Sequence, residues 1–141
     1  MGFWIPELLL GFYSPVPGDP PANTIFFFKA LCVVSALRWI SLRPRKHSRR
    51  LRVTIFTDNQ NSVNIFSSLC AAPNYNLLLR TAVDNLIAHN VDLRVLHVRG
   101  EDNYVADAIS RQRFSDAIAR APGLTIQDFT PPREPLGAVS S

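Results

Sequence analysis

The sequence predicts an α/β fold, and three observations support this class. Residues 52–57 form a β-branched and aromatic run typical of a buried strand, and residues 91–98 predict a second one. Apolar residues at helical spacing stand before, between and after these strands. Strands that alternate with helices in this order pair in parallel within one layer. With 141 residues, the chain has room for one core and not for two.

The N-terminal third divides into a proline-rich segment and a long helix. Five prolines within residues 1–24 exclude long regular elements, so we predict a short strand over Gly2–Ile5. A second strand over Leu8–Phe12 is left open. Apolar residues at helical spacing then predict a core-facing helix over 26–41, with Trp39 in the core near its end. The repeating residues are Phe27, Leu31, Val34 and Leu37.

The elements that follow alternate between helix and strand. We predict a short helix over 63–70, closed by Pro73, and a second helical stretch over 79–87. After the strand at 91–98, residues 103–119 are predicted to be mostly helical. The domain is therefore assigned to residues 1–120, and residues 121–141 are predicted to be an irregular, Pro-rich tail or linker.

Composition limits the class of protein and its compartment. The net charge of +4, with a pI near 9.6, permits a polyanionic partner without requiring one. Cys32 and Cys70 have no metal-ligand spacing, so we predict two buried free thiols in a reducing compartment, cytoplasmic or nuclear. The most apolar segment, 25–40, carries Lys29 and Arg38 and is too short to span a bilayer, so no membrane association is expected.

Two carboxylates stand where a magnesium-dependent phosphoryl-transfer site takes two of its ligands. Asp58 directly follows the strand at 52–57, and Asp107 lies about one turn inside the helix that follows Gly100. Taken alone, Asp58 is also a good turn or cap residue, and Asp107 a solvated acid near a helix start. His97 lies within a strand, where a packed core histidine is the expected role.

Two motifs carry a resemblance to a known family. They are Thr57-Asp58-Asn59 and, downstream, His97-x-x-Gly100-x-x-Asn103-x-x-Ala106-Asp107-x-x-Ser110-Arg111. Together they resemble the ribonuclease H domain of retroelement reverse transcriptases, of gypsy-type or DIRS-like elements. Further segments favour DIRS-like elements of fungi: Asn59-x-Asn61-Ser62-Val63, Tyr75-Asn76-x-Leu78-Leu79 and Phe129-x-Pro131-Pro132-Arg133.

The resemblance implies a mixed five-stranded sheet flanked by helices. It also implies a site where four carboxylates hold two magnesium ions and the RNA strand of an RNA–DNA hybrid is cut. Carried over by position, Asp58 matches the carboxylate at the end of the central strand, and Asp107 the one in the last helix. Asn59 would support this site and contact nucleic acid. The implied partners are the hybrid or another nucleic acid, with reverse transcriptase upstream and recombinase downstream in a polyprotein.

Two positions depart from the family pattern. Lys29 stands where the family has a Glu, and the family's first Asp belongs to an opening strand ahead of the Gly2–Trp4 segment. We therefore expect all or part of the opening strand to be missing. Two hard cations need several anionic oxygens. The loss of two carboxylates, together with the positive charge that Lys29 adds, costs several kcal/mol even at an effective dielectric of ~20. We expect the Lys29 ammonium to pair with Asp58 or Asp107, and we predict a catalytically inactive domain or fragment that binds no magnesium productively.

Two alternatives remain open from the sequence. In the first, the fold is a non-catalytic module that binds nucleic acid through the basic segment between the long helix and the strand at 52–57. A solvated loop explains the same charges equally well. The basic residues are Arg43, Arg45, Lys46, Arg49 and Arg50, and Arg52 extends the charge into the next strand. In the second, the chain is a structural fragment whose exposed sheet edge aggregates or pairs with a partner.

Overall fold

A computed structural model describes residues 1–16, 25–43, 50–70 and 73–132, and it confirms the predicted α/β class. These ranges contain the strands β1 (Gly2–Ile5), β2 (Leu10–Tyr13), β3 (Leu51–Thr57), β4 (Val91–His97) and β5 (Thr125–Asp128). They also contain the helices α1 (Ile25–Leu42), α2 (Gln60–Ser68), α3 (Asn76–Ala88), α4 (Tyr104–Ser110) and α5 (Phe114–Arg120). The strand predicted over Gly2–Ile5 is confirmed, as are the long helix and the two later strands to within one residue.

The described strands form two separate sheets. In one, β2 lies in the middle, antiparallel to β1 and parallel to β5. In the other, β3 and β4 pair in parallel over all seven residues, from Leu51 opposite Val91 to Thr57 opposite His97. The helices between β3 and β4 supply the crossover that a parallel pair needs.

A proline-led turn connects β1 to β2. Pro6–Leu8 form a 3-10 turn, which Leu9 closes in the left-handed conformation at φ 50° while its N–H donates to the Pro6 carbonyl at 3.2 Å. Pro suits the first position of such a turn because its φ is already fixed and its missing N–H is not needed there. The second strand therefore begins at Leu10, two residues later than the open alternative placed it.

The segment predicted to be an irregular tail contains a strand, so that prediction is wrong for β5. The Thr125 N–H donates to the Leu9 carbonyl at 2.9 Å, and the Phe129 N–H donates to the Tyr13 carbonyl at 3.0 Å. Both bonds join residues more than a hundred positions apart. Pairing with a distant strand, which local pattern does not show, makes this segment extended.

The core lies in two clusters on opposite faces of the three-stranded sheet. The larger cluster gathers α1, α2 and α3 with the apolar residues of β3 and β4. Phe27, Leu31, Val34 and Leu37 of α1 are at most 1% exposed, as their spacing predicts. The smaller cluster joins α4 and α5 to the other face of the sheet, including Trp4 and Ile126. The half-buried Trp39 packs against Phe12 on the α1 side, with ring centroids 4.8 Å apart and the ring planes tilted by 57°.

Two glycines bring α4 close to the sheet. A Cβ on Gly2 would lie 2.7 Å from the backbone nitrogen of Ser110 and 2.8 Å from Cγ2 of Ile109. A Cβ on Gly11 would lie 2.8 Å from Cδ1 of Ile109. Glycine at these positions permits a backbone approach that a side chain would block.

The predicted helical region 103–119 is interrupted. A 3-10 turn, Gly100–Asn103, precedes α4, and Gln112 at φ 60° ends that helix before α5 begins. The Arg113 N–H reaches back to the Ala108 carbonyl at 2.8 Å, so the turn satisfies a helix-end carbonyl. No helix in the described ranges is long and apolar enough to cross a membrane.

The two cysteines differ in environment. The thiol of Cys32 donates to the Gly2 carbonyl at 3.3 Å, and burial raises its pKa to about 11. Cys70 is exposed just after α2, so the prediction of two buried thiols is wrong for this residue. The short helix ends at Ser68, before Cys70 can turn toward the core.

Candidate functional site

Asp58 stands at the end of β3, beside the point where β4 ends. The parallel register places Thr57 opposite His97, and the Val98 N–H donates to the Thr57 carbonyl at 2.9 Å. Since carboxyl ends of parallel strands meet at one edge, half-buried Asp58 directly follows β3 at the edge where the chain leaves β4 toward α4. This is the edge at which the sequence predicts the site.

Asn59 caps α2. Its side-chain oxygen accepts from the Ser62 N–H at 2.8 Å, and its own N–H donates to the Thr57 hydroxyl oxygen at 3.2 Å. The residue is 5% exposed. The cap explains why an Asn follows Asp58, because Asn at this position satisfies an otherwise unpaired helix N–H. This buried role differs from the predicted contact with nucleic acid.

Asp107 lies in α4 and is held by neighbours from its own helix. The Arg111 Nε donates to Asp107 Oδ1 at 3.2 Å, and the Ser110 hydroxyl donates to the Asp107 carbonyl at 2.7 Å. The Asp107 side chain is 39% exposed. One carboxylate oxygen therefore already faces a guanidinium. The four-residue spacing of Asp107 and Arg111 is the sequence signal that predicts this pair.

Lys29 and His97 differ from their predicted environments. Lys29 is exposed on α1, and within the described ranges its ammonium forms no ion pair with Asp58 or Asp107, contrary to expectation. The Lys29 side chain therefore lies at the surface of α1. His97 is exposed, so the prediction of a packed core histidine is wrong. By alternation it shares the face of the buried Val91 and Val95, but it stands at the last residue of β4 and is exposed there.

The described residues do not fit a magnesium pair. No group of three or more His, Cys, Asp or Glu side chains within them lies close enough together to hold a metal ion. Of the two predicted carboxylates, Asp107 already pairs with Arg111. Two hard cations need more anionic oxygens than this arrangement supplies. No hydrolytic step follows from this geometry.

The basic connection is described only at its two ends. Arg43 lies over the Trp39 ring at 5.3 Å from its centroid, which holds its guanidinium at the end of α1. Arg50 and Arg52 are exposed at the start of β3. The predicted contacts of Arg45, Lys46 and Arg49 lie outside the described residues.

Two surface clefts of about 510 Å³ each lie away from the predicted carboxylates. One is lined by Phe3, Ser35, Arg38, Trp39 and Phe129, and the other by Phe66, Leu86, Asn90 and Asp92 among others. Neither cleft includes Asp58 or Asp107 in its lining. A small-molecule site at the strand edge therefore gains no support from the shape of the surface.

The chain matches no protein-family model, no curated protein and no solved structure. The resemblance to ribonuclease H domains therefore depends on the residues of this chain alone. The residues that carry it are the Thr57–Asn59 motif and the segment from His97 to Arg111.

Proposed function

We propose that this chain is a ribonuclease H-like domain derived from a retroelement, and that it does not cleave RNA–DNA hybrids. One observation carries the proposal: the parallel pair β3–β4 brings Asp58 to the edge from which the chain passes to α4 and Asp107. This placement accords with the two motifs that give the resemblance.

The arrangement of elements gives further support. An antiparallel pair of strands, a long helix, a parallel pair separated by helices, and a carboxylate-bearing helix follow one another in the order that the resemblance implies. The described strands lie in two sheets and not in one.

The proposed inactivity follows from charge. Asp58 and Asp107 supply two carboxylates, and Arg111 already offsets one of them. Lys29 brings no carboxylate at the position where the resemblance places a Glu. A pair of magnesium ions held by so few anionic oxygens would repel each other with little compensation.

A cleavage assay tests the inactivity. The 141-residue chain is incubated with an RNA–DNA hybrid labelled on its RNA strand, in magnesium and separately in manganese, beside the Asp58→Asn variant. We expect no product above the protein-free background in any reaction. If the unaltered chain cleaves the hybrid and the Asp58→Asn variant does not, the proposal of inactivity is wrong.

The origin of the domain has a separate test. The genomic DNA on each side of the coding region should encode a reverse transcriptase upstream, with an Asp-bearing strand next to this domain, and a tyrosine recombinase downstream. Flanking sequence from an unrelated gene would count against a retroelement origin. This result does not depend on the cleavage assay.

A second candidate is a module that binds nucleic acid without cutting it. The exposed positions of Arg50 and Arg52, in a chain of net charge +4, favour this alternative. Hybrid affinity measured by fluorescence anisotropy should fall steeply with salt. Arg50→Ser should reduce the slope of log K against log salt by about 0.9 for each phosphate that the protein no longer neutralises. Binding that is absent, or independent of salt, would exclude this module.

A further inference from the structure

The edge of β3 that faces away from β4 has unpaired backbone groups. The Leu51 N–H donates to the Asn90 carbonyl at 3.1 Å, and the Thr57 carbonyl accepts from the Val98 N–H at 2.9 Å. In a parallel ladder, every second residue directs its N–H and C=O groups to the same neighbouring strand. The backbone groups of the odd-numbered β3 residues therefore bond to β4. The residues whose N–H and C=O groups point to the other edge are Arg52, Thr54 and Phe56. Within the described ranges, no hydrogen bond reaches these groups.

Apolar surface remains exposed beside this edge. The side chains of β3 that face the helix layer are only half-buried, whereas Val91 and Val95 in β4 are 4% and 5% exposed. The half-buried residues are Leu51, Val53 and Ile55. On the opposite face, Phe56 is 59% exposed. The strand contains no Pro, Lys or bulge, which are the usual means of blocking an exposed edge.

We propose that two copies of this chain pair through β3, antiparallel, about a two-fold axis at Thr54. Thr54 of one copy then stands opposite Thr54 of the other as a hydrogen-bonded pair, and Arg52 stands opposite Phe56. Every outward-pointing N–H and C=O of the strand meets a partner, because hydrogen-bonded positions alternate along an antiparallel ladder. This register overlaps all seven residues of the strand, whereas a shifted register shortens the overlap.

A second copy of this chain fits the free edge of β3 because that edge is complementary to itself. Arg50 just before the strand lies opposite Asp58 just after it, so each end of the pairing joins a cation to a carboxylate. Within the strand, Arg52 faces the exposed ring of Phe56, a cation–π arrangement. No like charges stand opposite each other. On the helix side, Val53 lies beside Ile55 of the second copy and covers part of the half-buried surface.

A charge exchange tests the register. Sedimentation velocity of the full 141-residue chain should show a dimer whose fraction rises with concentration. Arg50→Asp and Asp58→Arg should each raise the dimer dissociation constant roughly tenfold, because like charges then face each other. The double variant should restore it. Single variants without effect, or a double variant that stays weak, would overturn the proposal.

A disulfide tests the axis. With Cys70→Ser as the background, Thr54→Cys should form a linked dimer under mild oxidation, because Cα atoms of a hydrogen-bonded pair lie about 5.5 Å apart. Arg52→Cys is the matched control: the two introduced thiols would be offset by four residues, about 13 Å, and should not link. Equal linking of both variants would contradict the register.

A backbone variant separates dimerisation from folding. No group in the described part of the chain accepts a hydrogen bond from the Thr54 N–H, so Thr54→Pro should keep the circular dichroism spectrum and lose the dimer. Thr54→Val should keep both. A Thr54→Pro protein that is folded and still dimeric would place the interface elsewhere. A wild-type chain that is monomeric at every concentration would overturn the proposal and assign the edge to a different partner.

Discussion

Substituting alanine for Gly2 tests the close contact between β1 and α4. The added Cβ would lie 2.7 Å from the Ser110 backbone nitrogen, about 0.7 Å short of the 3.4 Å at which ordinary contact begins. The obstacle is backbone inside a helix, so no rotamer change relieves it. The α4 helix must therefore move away from the sheet, and the contact between Ile109 and the smaller core cluster loosens.

The size of the effect follows from two opposing terms. Overpacking a tight contact costs about 1–3 kcal/mol. Replacing a strand glycine with alanine recovers about 0.5–1 kcal/mol, because the unfolded chain loses conformational freedom. The net expectation is a loss of roughly 1–2 kcal/mol in the free energy of unfolding, which lowers the urea midpoint by about 0.5–1 M.

Two other glycines serve as graded controls. At Gly11 the nearest atom to a new Cβ is the end of the Ile109 side chain at 2.8 Å, which can rotate, so Gly11→Ala should cost less than Gly2→Ala. At Gly100 nothing lies within 4 Å, so Gly100→Ala should stay within about 0.5 kcal/mol of wild type. Urea unfolding followed by tryptophan fluorescence measures all three. An unchanged midpoint for Gly2→Ala, or the reverse order, would show that the helix does not restrict this position.

Three further predictions concern single side chains. Asn59→Ala should lower stability by about 1 kcal/mol in thermal unfolding through loss of the α2 cap, whereas Ser67→Ala at an exposed position of the same helix should not. Above pH 9 the unfolded chain loses the Cys32 proton, while the folded chain keeps it until about pH 11. The folded state then binds more protons, so stability should fall by roughly 1 kcal/mol by pH 10. A Cys32→Ala protein with the same pH slope would contradict this. Arg111→Ala should change stability by no more than about 0.5 kcal/mol, because its ion pair with Asp107 is largely solvated, and a larger loss would show a buried role.

Local pattern was sufficient for the long helix α1 and for the parallel strands. The helix predicted over 26–41 is observed over Ile25–Leu42, and the strand predicted over 91–98 is observed over Val91–His97. These elements bury one continuous apolar face, and the repeat of that face is visible along the chain. The pairing of β5 with β2 has no such signal, because only Ile126 within it is partly buried.

The candidate site was predictable in part. The positions of Asp58 at a strand end and Asp107 in a helix follow from the sequence and agree with the structure. The surroundings of Lys29 could not be predicted from the sequence, because in a helix that is apolar on most sides the direction of one polar residue is undetermined. The exposure of His97 could not be predicted either, because it shares a strand face with the buried Val91 and Val95 and differs from them in standing at the last residue of β4.

The pairing of β5 with β2 has a consequence for synthesis on the ribosome. Leu10–Tyr13 leave the exit tunnel more than a hundred residues before their partners Thr125–Asp128 are made. Until then, the hairpin of β1 and β2 has α1 to pack against on one face only, and a two-stranded hairpin by itself is marginally stable in water at best. Trp4 and Tyr13 on the other face therefore stay open to chaperones until α4 and α5 are made.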